Sequence, residues 1–424
     1  MSKLTNKSSS ALEQVIAFIF VLAAYSVYFK HSPFSSLVFE ASIIFLGIIW
    51  LFTLRSQIKL NMLRNCLILC SLSFIAIIIT LAANSDSSVL SYVAQKIVIL
   101  AVIIPIFGLI FTVKGEETCI EGFFTKIINC VVFISTIALF VWFIIIFFKS
   151  KIPYIDFSYI WGGHKTASGY LGILYTIQNE SFHGYLIPKF TLFYVEPPLA
   201  NFVFLICLST ELLLRRTPRI LPAALLTFCS LASFSTTGII LLPVIWFAFL
   251  VTSQPLVGLR KKYISARILY WVCLISAISV IPIWAILHKS NTKSLMIHNR
   301  DIVAGLYSFL DSPVTGHGLG NYQDSFLAFG GSNGSSSGLF SVLAQAGLLL
   351  LFLYLIPICI YLWIGIHSKN ERLIYFGIIL LIQFTVVTID NSPLLSVYLA
   401  LSYSMVIMQF KVLRSKKNDM NMDN

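Results

Sequence analysis

The chain has 424 residues, of which 58% are hydrophobic and only 11% charged, with a mean hydropathy of +0.89. Soluble globular domains carry nearer a quarter charged residues, so that class is excluded. The formal net charge of +12 calls for no nucleic acid as partner: the basic residues gather in short clusters between apolar runs, where anionic lipid headgroups meet them.

Apolar runs of about 20 residues recur from end to end, the length a helix needs to cross the hydrocarbon core. Lipid offers no partner to backbone N–H and C=O groups, so these runs must be helices. The expected fold is an all-α polytopic membrane protein, a single integral-membrane domain over residues 1–424 with about 12 transmembrane helices. The first, at 11–29, follows Lys3 and Lys7. It has no small-residue cleavage site before Lys30 and is expected to be a retained span, not a signal peptide. Further spans are expected at 34–54, 62–83, 97–113 and 123–148. Then come 191–214, 219–235, 237–253, 267–287, 337–364, 373–389 and 392–410. The stretch 219–253 is too long for one span, and Ser233 to Gly238 offers a turn that divides it.

Two polar stretches, 149–190 and 288–335, interrupt this pattern and hold five of the seven histidines. With the N-terminus inside, 20 of the 29 basic residues fall in inner loops, which is the bias that sets orientation. Both large loops are then expected to be periplasmic, and both termini, including a tail at 411–424, cytoplasmic. None of the eight cysteines lies in either loop, so no disulfide framework is expected.

No G-x-x-x-x-G-K-[ST] or D-x-D motif is present, and Gly316, Gly318 and Gly320 lack dinucleotide spacing, which leaves a flexible turn as their plainest reading. No metal and no cofactor is expected. The first loop ends in Lys189-Phe190-Thr191-Leu192-Phe193-Tyr194-Val195-Glu196-Pro197-Pro198. Glu196 would sit at a helix start, favoured there by the helix dipole, or act as a boundary carboxylate that accepts a proton from a hydroxyl. In the second loop Arg300 is the one arginine expected on the outer side. Its guanidinium fork matches phosphate oxygens, although a solvated loop charge explains it too. His317, among glycines, is a proton shuttle or a plain loop residue. His164, His183, His288 and His298 lack metal-ligand spacing and are read as surface residues or sugar contacts. Tyr154, Tyr159, Trp161, Tyr170, Tyr175 and Tyr185 crowd the first loop, where they would stack on sugars or rest on the headgroup layer.

The layout resembles the O-antigen polymerase and O-antigen ligase superfamily of bacterial envelope glycosyltransferases. The resemblance rests on about a dozen spans with two large outward loops and on four anchors in order. These are Lys189 to Pro197, Ser235-Thr236-Thr237-Gly238, Asp311 to Gly320, and Leu339 to Leu350 with Ala346-Gly347-Leu348. Two departures stand out. Lys189 occupies a position where the family commonly has arginine. The ligase branch carries a histidine near the position of Ser336, absent here, which tilts the resemblance towards the polymerase over the ligase. A polymerase of this kind would be a metal-independent glycosyltransferase of the bacterial inner membrane, serving lipopolysaccharide biosynthesis. Donor and acceptor would be undecaprenyl-diphosphate-linked oligosaccharides, and its further partners would be membrane lipids, a chain-length regulator and a flippase. Lys189 and Arg300 would neutralise the leaving diphosphate, and Glu196 or His317 would position or deprotonate the acceptor hydroxyl. A lipid-linked oligosaccharide flippase is the rival from outside this superfamily.

Overall fold

A computed structural model describes residues 2–84, 88–148, 152–161, 163–182, 185–253, 293–320, 322–331 and 335–422. The expected span at 267–287, with His183 and His288, lies outside these residues. Among the described residues, six helices are long and apolar enough to cross a membrane: Phe34–Gln57, Leu60–Ala83, Leu90–Lys114, Glu116–Phe148, Pro197–Leu214 and Gly338–His367. Shorter apolar helices at Ser10–Ala23, Ile220–Ala232, Thr236–Thr252 and Pro393–Met408 accompany them. The chain is thus a mainly helical, membrane-embedded protein.

The expected division of 219–253 is present. Ile220–Ala232 and Thr236–Thr252 are separate helices, with Phe234 between them at φ 49°. Asn201 holds the turn by donating to Ser233 Oγ (2.6 Å), and a side chain at Gly238 would collide with Asn201 (2.3 Å). Other ends are displaced. The first helix stops at Ala23, short of the expected 29, because Tyr25 takes φ 61° and Ser26 bridges Tyr194. The helix expected from 97 begins at Leu90 and includes π-helical turns over Ile97–Ile103. The one expected from 191 begins at Pro197, since Phe190 to Glu196 spends its backbone groups on neighbouring segments.

Charges expected on one side of the membrane meet at one end of the bundle. Glu13 binds Lys114 and also Lys126 (2.5 Å). Glu211, fully buried, takes Arg215 and Arg219 at 2.7 Å each, while Arg215 also reaches Glu121 (2.9 Å). This basic end ties together four helices from the first half of the chain. Above it a core of Phe20, Trp50, Phe107, Phe111 and Phe123 packs ring against ring.

At the opposite, loop end, the expected helical bundle carries a small β element. Residues 155–188 form five short strands: β1 (Ile155–Ile160), β2 (His164–Tyr170) and β3 (Leu174–Thr176) in one antiparallel sheet, β4 (Asn179–Phe182) and β5 (Tyr185–Pro188) in a hairpin. Residues from Phe157 to Ile160 alternate between inward and outward, the period of a half-buried strand. The sheet covers the segment after the first helix: Ile160 N donates to Lys30 O (2.7 Å) and Val27 N to Phe193 O (2.7 Å).

The second loop contributes two helices, Lys293–Asp311 and Gln323–Ala328, and a clasp on the long Gly338–His367 helix. That helix breaks at Gly347 (φ 58°, ψ −148°), conformational space that suits glycine alone. His317 N and Gly318 N donate to the carbonyls of Ala344 (2.9 Å) and Gln345 (3.0 Å), which the break releases from helical pairing, while Leu348 N donates to Pro313 O (2.9 Å). Gly316, Gly318 and Gly320 all take positive φ, and a Cβ on Gly316 would lie 2.3 Å from Ala346 N. The expected flexible turn is therefore a tightly bonded clasp.

Candidate functional site

The second loop meets the connection from Val387 to Ser392, between the helices Glu371–Val386 and Pro393–Met422, and the first loop reaches it through Tyr25. On the second-loop side, Gly338 N donates to Val387 O (3.1 Å) and Thr388 Oγ1 to Ser335 O (2.6 Å). On the other side, Asn391 N donates to Tyr25 Oη (3.0 Å), and Tyr25 O accepts from Val195 N at the end of the first loop (3.1 Å). Between them Asp390 and Lys96, each 2% exposed, form an ion pair at 2.6 Å. Lys96 Nζ also donates to Tyr354 Oη (3.1 Å), whose hydroxyl donates to Asp390 O (2.7 Å).

Ionisable side chains buried in a membrane bundle are costly and mark functional sites by default. Two further groups here are buried with no hydrogen-bond partner among the described residues: Asn391 Oδ1 and Ser392 Oγ. Buried polar atoms are normally paired, which makes these two stand out beside the ion pair.

Lys30 adds a second cation. Its ammonium lies over the rings of Tyr25 (4.9 Å) and Trp161 (5.7 Å). Burial pushes it down to about 8, against the opposing pull of Glu40 and Asp390. Glu40 accepts from Gln95 Nε2 (2.8 Å). Lysines 30 and 96, carboxylates 40 and 390, and the tyrosine hydroxyls thus make a site able to hold an anion and to pass a proton. Among the described residues no three His, Cys, Asp or Glu side chains gather as metal ligands.

No family model matches the chain, and no curated protein matches it. Its chemistry has to be argued from its own geometry.

The four residues singled out in the sequence occupy separate places. Lys189, largely buried, pairs with Glu180 (2.8 Å) across the β4–β5 hairpin. Glu196 precedes the Pro197–Leu214 helix without capping it, and faces Lys165 at 3.7 Å. Burial raises its carboxyl above the ordinary range, and Lys165 opposes that shift. Arg300 is exposed on the Lys293–Asp311 helix. His317 Nε2 contacts Ser308 O (2.9 Å) and lies 3.5 Å from Asp311, so its ring braces the clasp. The bonds of Lys189 and Glu196 run within the first loop, and those of His317 run to the second loop and the kinked helix.

The first-loop aromatics also differ from expectation. Tyr159, Tyr170 and Tyr175 are buried in the sheet's core, with Tyr175 donating to Tyr28 Oη (3.0 Å); only Tyr154 and Tyr185 among the six are exposed. His298 is half-buried. Its Nδ1 lies 2.8 Å from Ser336 Oγ, while Asp301 accepts from Ser336 N (3.0 Å). An imidazole therefore does reach Ser336, from another helix. Sequence reasoning passed over Lys96, Asp390 and Asn391. Their signal was present: Asp390-Asn391-Ser392-Pro393 is a polar break between two apolar runs with almost no room for a loop.

Proposed function

We propose that this protein is an envelope polysaccharide polymerase of the O-antigen type, working on lipid-linked repeat units at the periplasmic face of a bacterial inner membrane. The observation that carries the reading is one connection, met by the second loop directly and by the first through Tyr25, where the buried Lys96–Asp390 pair lies beside polar atoms unpaired among the described residues. A polymerase must hold two lipid-linked chains at once, and two loops braced on a common floor suit that task.

In the reaction, an acceptor sugar hydroxyl attacks the donor's anomeric carbon. The bond from that carbon to the diphosphate oxygen breaks, the lipid diphosphate leaves with the electron pair, and the hydroxyl proton passes to a base. Fixed cations stabilise the departing charge. Lys189 and Arg300 remain candidates, and Lys30 joins them on the geometry. Glu196, its carboxyl raised by burial, suits proton acceptance better than His317, which is tied into the clasp.

Two other readings each have an observation in their favour. The His298 imidazole at Ser336 favours a ligase, because the absent histidine is replaced in space. The buried Lys96–Asp390 pair favours a flippase, since transporters place charges inside the bundle. Deleting the gene in its host and running the surface lipopolysaccharide on a gel separates them. Loss of a polymerase leaves lipid A–core with one repeat unit. Core alone would point to a ligase or flippase and overturn the proposal.

A further inference from the structure

The Lys293–Asp311 helix is amphipathic inside out. Its protein-facing side is polar or small: His298 meets Ser336, Asp301 is fully buried against Ser336 N, and Ser308 shares a hydrogen bond with Ser325 (2.7 Å). Gly305 completes that side, where a Cβ would come within 2.7 Å of Phe340. The opposite side is apolar and bare. Met296 (49%), Val303 (47%), Leu306 (44%), Tyr307 (52%) and Leu310 (60%) recur there at helical spacing, with Arg300 on the same face. Polar residues turned inward and apolar ones outward make a poor arrangement in water, where exposed apolar area costs free energy in proportion to its extent. It suits lipid. Phe52 (65%) and Phe140 (68%), on membrane-crossing helices of this chain, are exposed in the same way.

The depth of the helix is fixed independently. Leu348 to His367, beyond the Gly347 break, is 20 residues, which at ~1.5 Å per residue is ~30 Å, the thickness of the hydrocarbon core. With these 20 residues as the span, the break lies at the membrane boundary. Pro313 and Val314, just past the end of the loop helix, accept hydrogen bonds from Leu348 (2.9 Å) and Leu349 (3.3 Å). The C-terminal end of the helix is thus pinned at that boundary, while Gly305 abuts Phe340 on the other side of the break.

We propose that the Lys293–Asp311 helix is a membrane-boundary helix, its outward apolar face set in the lipid of the loop-side leaflet. Arg300 extends from this face to the headgroup phosphates, as long basic side chains do at interfaces. The helix then carries polar partners for Ser336 on one side and lipid on the other. On the polymerase reading, it holds Arg300 at the level where a polyprenyl diphosphate presents its phosphates. The lipid contact itself does not depend on that reading.

The test uses full-length protein in phosphatidylethanolamine–phosphatidylglycerol vesicles. A fluorescent label is placed at Val303→Cys, Leu310→Cys or Arg300→Cys, with His164→Cys on the exposed sheet as the aqueous control. Native cysteines are replaced beforehand, and each variant is checked to elute like wild type. Labels at 303 and 310 should be quenched several-fold more by nitroxide on the acyl chains than by iodide. The label at 300 should respond to a headgroup nitroxide, and the control to iodide alone. Iodide reaching 303 and 310 as readily as 164 would place the helix in water and overturn the proposal. Protection from both quenchers would mean that protein covers this face, which also overturns it. None of these signals reads glycan transfer, so the polymerase reading stands or falls separately.

Discussion

Lys96 and Asp390 are held together by a geometry that leaves neither able to lose its partner cheaply. Removing one member of a buried pair leaves an uncompensated charge, at a cost of about 3–5 kcal/mol. Lys96→Met should therefore lower the melting temperature of the purified protein markedly. A combined Lys96→Met, Asp390→Leu replacement should recover much of that loss, because apolar pairs of similar volume often match a buried ion pair. Single-unit glycan from the double variant at normal protein levels would mark the pair as functional; normal chain length would make it purely structural. Lys30 allows a test by pH. Its folded value of about 8 lies below the ordinary 10.5, so the fold disfavours its charge. From this group, stability is penalised below pH 8 and the penalty is relieved as pH rises from 8 towards 10.5. If its cation holds a phosphate, turnover should decline as pH rises through about 8, a midpoint set by burial against the opposing pull of Glu40 and Asp390. Lys30→Arg should abolish that decline, since guanidinium stays charged; an unaltered pH profile in that variant would remove Lys30 from the site. For Arg300, losing a charge-assisted hydrogen bond to diphosphate should slow turnover at least about tenfold, read as shortened chains from Arg300→Ala.

The clasp on the kinked helix shows what local sequence can and cannot tell. Gly347 sits where φ is 58° and ψ −148°, and Gly316 has backbone atoms of Gln345 and Ala346 at the place its side chain would occupy. Gly316→Ala should reduce folded protein severely. Gly330→Ala, at φ 82° with open space around it, should cost only about 1 kcal/mol. Equal thermal stability for the two would refute the clasp. The spacing of these glycines did not reveal the clasp, because its partners lie about 30 residues away on another element. The long apolar runs were legible for a simpler reason: their length and composition alone demand helices. So was the division at Ser233 to Thr236, where small polar residues interrupt an overlong run. The strands at 155–188 were not, though Phe157 to Ile160 alternates; short strands depend on what they cover, here Tyr25, Tyr28 and Lys30.

Across the whole molecule, charged residues separate into two layers. The basic end around Glu13, Glu121 and Glu211 ties the bundle together through satisfied ion pairs. The loop end contains the atoms of Asn391 and Ser392 unpaired among the described residues, the cation at Lys30 and the exposed Arg300. The proposed function rests on this contrast between a bundle joined at one end and polar groups gathered at the other. The sequence could not show that Asp390, close to the C-terminal end, would meet Lys96 and come beside Tyr25 near the N-terminal end, because the fold alone brings them together. The central claim, that this face polymerises lipid-linked repeat units, is tested most directly by reconstitution. Purified protein in lipid vesicles is supplied with polyprenyl-diphosphate-linked repeat units from its host, and the products are resolved by size. A ladder of two, three and more units with release of the lipid diphosphate is predicted. Single units left unchanged beside folded, wild-type protein would contradict the account.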